Sequence, residues 1–118
     1  MTNDLIYYAA SVHSFVASQD RDAQTARYVE AVGRRISETV YEDIQLAQTA
    51  PMADRLKFQE AVAKAASKGQ DIIIHSRSNI GTDAMTDRYN EAREYADRFR
   101  VGIYAAGDDP NHMMARSV

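Results

Sequence analysis

Apolar positions recur along this chain with two periods that take turns. Leu5 to Ala10 is an unbroken apolar and aromatic run ending at Ser11, which predicts a strand. Val12 to Gln19 mixes polar and apolar residues and reads as a loop. From Asp20 to Val32, Ala23, Ala26 and Val29 return at helical spacing on one face, with Asp22, Arg27 and Glu30 elsewhere, so a helix is expected there. Gly33 suits the left-handed position just beyond its end. Thr39 to Asp43 predicts a second strand, and the small and polar residues from Gln45 to Pro51 a linker.

The second half repeats the alternation. Met52 to Lys68 predicts a helix whose Phe58, Ala61, Val62 and Ala65 form one apolar stripe, with Lys64 and Lys68 suiting the dipole and Gly69 stopping it. Ile72-Ile73-Ile74 follows as a short strand buried on both faces. The polar segment from His75 to Ile80 separates it from a third helix, capped by Thr82 or Asp83 and carrying a stripe of Met85, Tyr89, Ala92, Ala96 and Phe99. Val101 to Ala105 is the last strand, and residues 109–118 form a polar tail expected to be flexible.

The order β-α-β-α-β-α-β predicts a single α/β domain over residues 1–118. Right-handed crossovers give a three-layer, mostly parallel four-stranded sheet of order 2-1-3-4 with helices on its faces. In such a sheet, groups at the carboxyl ends of adjacent strands share one crevice, which brings Ser11 and Arg77 into question together.

Composition narrows the chemistry. With no cysteine, disulfide scaffolds and thiol or cysteine–zinc chemistry are excluded. His13, His75 and His112 lack ligand-like spacing, so no metal is expected. The glycines form neither GxGxxG nor GxxxxGK[ST], so no nucleotide cofactor is expected either. No apolar run approaches the ~20 residues of a membrane span, and Met1-Thr2-Asn3-Asp4 lacks a basic leader, so a cytoplasmic protein is expected. A net charge of −3 argues against a domain that grips nucleic acid by itself. A serine beside arginines suits phosphoryl transfer, because guanidinium forks bind phosphate oxygens and offset transition-state charge.

Several segments together resemble one family. Ile6-Tyr7-Tyr8-Ala9-Ala10-Ser11 and the stretch Gln19 to Gln24 are similar to the opening of the resolvase/invertase serine recombinases, where the first strand reads roughly Y-x-R-V-S. The likeness continues through Val40-Tyr41-Glu42-Asp43, Asp54-Arg55 and the helix ending at Lys68-Gly69. It then reaches Asp71-Ile72-Ile73-Ile74-His75-Ser76-Arg77, similar to the strand leading into D-R-L-G-R. It spans about residues 5 to 108.

The resemblance implies that Ser11 is the nucleophile on a DNA phosphodiester, forming a 5′-phosphoserine link and releasing a 3′-hydroxyl. Arg55 and Arg77 would contact phosphate, and Gln24 and Asp43 would support them. The departures weigh against full activity: Ala9 and Ile80 stand where the pattern has arginines, and Ser76 where it has an aspartate. The chain also ends near the point where the family continues into a long helix and a DNA-binding region.

The expectation is therefore a catalytically impaired resolvase-like domain associated with DNA recombination, in a bacterial or mobile-element setting. It would reach DNA through another chain, or act through a protein partner or homo-oligomer. The alternatives are an active recombinase with DNA binding supplied in trans, a non-enzymatic protein-interaction domain, and a small-ligand or nucleotide-binding domain.

Overall fold

In the computed structural model the described residues are 4–10, 15–42, 52–75 and 88–106. Their organising element is β1 (Asp4–Ala10), which pairs in parallel with β2 (Arg35–Glu42) on one side and β3 (Asp71–Ile74) on the other. β4 (Ile103–Ala105) completes a parallel sheet of order β2-β1-β3-β4. This is the predicted order. With every strand parallel, all four carboxyl ends lie along one edge.

Helices cover both faces. α1 (Phe15–Ala31) supplies Val29 to a cluster with Leu5, Tyr7, Ala9, Ile73, Tyr104 and Ala106. On the other face, α2 (Leu56–Lys68) packs Phe58, Ala61, Val62 and Ala65 against Ile6, Tyr8, Val40, Ile72 and Ile74. α3 (Arg88–Asp97) adds Ala92 and Ala96 to that cluster. Alternate β1 side chains thus feed opposite cores, and Ile72, Ile73 and Ile74 are each 0% exposed, as a central strand covered on both faces requires. The aromatic centre is the edge-to-face pair Tyr8–Phe58, with ring centroids 5.0 Å apart.

The predicted glycine stops are present. Gly33 and Gly69 have φ of 79° and 69°, and at α2 the Gln70 amide donates to the Ala65 carbonyl at 2.9 Å, closing the helix end.

Several expectations need correction. Phe15–Gln19 belong to α1 and are not loop; no glycine or proline interrupts them, and the helix runs straight through. Ala23 and Ala26 face solvent, while Thr25 and Val29 are the buried positions of α1. β2 starts at Arg35 instead of Thr39, since a sheet-edge strand with exposed alternate residues needs no continuous apolar pattern. Residues 52–54 form a separate 3-10 turn ahead of α2. Phe99 is 46% exposed, because α3 ends at Asp97 before reaching it; its ring rests on Tyr95, centroids 5.3 Å apart. Met85, the expected Thr82 or Asp83 cap, the linker Gln45–Pro51 and the tail 109–118 lie outside the described residues.

Candidate active site at the carboxyl edge of the sheet

The register of β1 and β3 decides what the edge can bring together. Leu5 faces Asp71, Ile6 faces Ile72 and Tyr7 faces Ile73, a constant offset of 66 residues. Ser11 and Arg77 are separated along the chain by that same offset. The strands that precede these two residues in the chain are therefore hydrogen-bonded neighbours. Ser11, Arg77, Asp43, Ser76 and Ile80 themselves lie outside the described residues.

Arg55 is described, and it is enclosed. It ends the turn before α2 and is 1% exposed, with Nη1 donating to the Tyr8 hydroxyl at 3.4 Å. The Tyr8 hydroxyl in turn donates to Glu42 Oε1 at 2.6 Å. Glu42, the last residue of β2 and 7% exposed, also accepts from two α2 amides: Lys57 N to Oε2 at 2.8 Å and Phe58 N to Oε1 at 3.1 Å. A carboxylate from a distant strand thereby caps α2, whose own N-cap residue, Arg55, makes no side-chain cap bond. Negative charge at that end is also favoured by the helix dipole. Burial and the bond to Glu42 push the Tyr8 hydroxyl above its ordinary value, and the Arg55 charge opposes the shift.

On the α1 face, the Asp22 carboxylate gathers a second polar group. Tyr7 donates to Oδ1 at 2.6 Å, Tyr41 to Oδ2 at 3.2 Å, and Arg21 pairs with Oδ1 at 3.2 Å. Gln24, expected as a supporting residue, meets His75 at the end of β3: His75 Nε2 lies 3.1 Å from Gln24 Oε1. This contact ties α1 to the strand that leads to Arg77. Ala9 is 2% exposed and packed in the α1-side cluster.

Sequence reasoning missed Glu42 and Tyr8. No local motif announces them, since a carboxylate 15 positions before Lys57 is not part of any capping-box spacing. Among the described residues, no group of three acidic or histidine side chains is placed to hold a metal ion. No helix among them is long and apolar enough to cross a membrane.

No protein-family model matches the chain, and no curated protein matches it by sequence. Solved structures do. The C-terminal catalytic domain of ISC1926 TnpA, an IS607-like serine recombinase, superposes with a TM-score of 0.67 at 12% identity, over 86% of this chain and 67% of that one. The N-terminal catalytic domain of TP901-1 integrase superposes with a TM-score of 0.54, also at 12% identity, over 93% of this chain and 78% of that one. The chain has the fold of a serine recombinase catalytic domain.

Proposed function

We propose that this chain is a serine-recombinase-like domain associated with DNA recombination, with its strand-cleavage chemistry impaired and its hold on DNA supplied by another chain. The observation that carries the reading is β1. It is the strand that leads to Ser11 beside the strand that leads to Arg77, and at Ala9 it places a buried methyl group where the recombinase pattern has a guanidinium.

Two further observations support impairment. Ile80 is apolar where the pattern has a second arginine. Arg55, which the resemblance assigns to phosphate, is 1% exposed and engaged with Tyr8. Each transition-state donor removed costs roughly 3 kcal/mol, about a hundredfold in rate, so two missing cations leave little catalysis. The net charge of −3 supports the rest, because phosphate neutralisation is the main source of nonspecific affinity for a duplex.

The test traps the covalent step. The protein is incubated with a nicked or phosphorothiolate duplex that arrests a phosphoserine link, and its mass is measured. No Ser11-dependent adduct is expected. A mass shift abolished by Ser11→Ala would overturn the impairment and establish an active strand transferase.

A further inference from the structure

The Glu42 carboxylate is surrounded as a bound oxyanion would be. Two backbone amides at the start of α2 and the Tyr8 hydroxyl all donate to it, at 2.8, 3.1 and 2.6 Å. The donors are fixed by packing: Tyr8 and Phe58 are both 0% exposed, and their rings are in edge-to-face contact. A guanidinium lies behind the hydroxyl, since Arg55, 1% exposed, donates to the same Tyr8 oxygen that donates to Glu42. A hydroxyl, two amides and a nearby cation are the groups that recognise a carboxylate or a phosphate.

The occupant comes from elsewhere in the chain. Glu42 reaches the pocket from the last position of β2, while the ordinary local devices are absent: the N-cap residue contributes no side-chain bond, and the first turn of α2 has no acidic residue. The end of α2 depends on an anion that it does not itself supply.

We propose that β1, β2 and the start of α2 form an oxyanion pocket filled by the protein's own Glu42, and that removing this side chain opens the pocket to a small external oxyanion. While Glu42 is in place, the Tyr8 hydroxyl and the two α2 amides are occupied by it. The inference rests on the geometry around Glu42 alone; an adduct at Ser11 would change the reading of function without affecting it.

The experiment measures thermal melting of Glu42→Ala in sodium chloride, sodium acetate and sodium phosphate at matched ionic strength, beside the unaltered protein and Glu42→Gln. In chloride, Glu42→Ala is expected to melt roughly 10 °C lower, having lost the cap and left buried donors without their acceptor. Acetate or phosphate should recover a substantial part of that loss in a saturable way. The unaltered protein and Glu42→Gln, whose pockets are filled, should show only the smaller, non-saturating stabilisation that such salts give folded proteins generally. Should Glu42→Ala not fold in chloride, refolding from denaturant in each salt gives the same comparison, and recovery only in the oxyanions supports the pocket. Equal melting or equal refolding of Glu42→Ala in all three salts would overturn it. So would failure to refold in any of them, or an oxyanion response in Glu42→Gln as large as that in Glu42→Ala.

Discussion

Ala9 is the residue on which the catalytic question turns. Its methyl group lies among Leu5, Tyr7, Val29, Ile73, Tyr104 and Ala106, and it is 2% exposed. Restoring the arginine of the recombinase pattern would press a long charged side chain into that cluster. Overpacking and an uncompensated charge together should make Ala9→Arg less stable by about 3 kcal/mol or more. Urea denaturation of the single variant checks this. A midpoint unchanged from the natural sequence would mean that the position opens readily toward the carboxyl edge, and that absence of the arginine is not reinforced by packing. Arg55, on the opposite face of the sheet, is enclosed as well, with its guanidinium held against Tyr8.

At the scale of elements, α1 carries the clearest departure from pattern. Ala23 and Ala26 look like an inward stripe, yet the positions turned to the sheet are Asp22, Thr25, Val29 and Val32, at spacings of three, four and three. Two of those four are polar. Asp22 is satisfied by the Tyr7 and Tyr41 hydroxyls and by Arg21, and the Thr25 hydroxyl donates to the Arg21 carbonyl at 3.0 Å. A stripe made half of polar residues is invisible to a search for apolar periodicity. The assignment is testable by two substitutions. Val29→Ala should cost roughly 2 kcal/mol through lost burial and a residual cavity. Ala26→Lys should change stability by no more than ~0.5 kcal/mol. Chemical denaturation of both variants decides; the reverse ranking would put the alanines back in the core.

At the scale of the molecule, charge governs what the domain can hold. The net charge of −3 combines 14 basic with 17 acidic residues, spread along the chain with no long basic block. Binding to duplex DNA depends on counterion release by clustered cations and falls steeply with salt. Fluorescence anisotropy with a short duplex at physiological salt should therefore show no submicromolar complex and no sequence preference. A tight, sequence-dependent complex would reveal a DNA-reading surface on this domain, and the requirement for another chain would fall.

What the sequence determined by itself was whatever repeats locally. The alternation of apolar runs set the α/β class, the Phe58–Ala61–Val62–Ala65 stripe set the buried face of α2, and Gly33 and Gly69 marked two element ends. The strand order then followed from the handedness of crossovers. That Ser11 and Arg77 share one edge was legible only as a possibility of that topology; the β1–β3 ladder pairs the strands that precede them, at an offset of 66 residues. Tertiary structure alone decided the inward face of α1, the length of β2, the exposure of Phe99, the burial of Arg55 and the capping of α2 by Glu42. The reason is physical. Apolar burial follows a period of two or 3.6 that any window of residues displays, whereas a buried polar group is stable only beside its partner, and here the partners stand far apart in the chain: Tyr7 with Asp22, Tyr8 with Glu42, and Glu42 with the amides of α2.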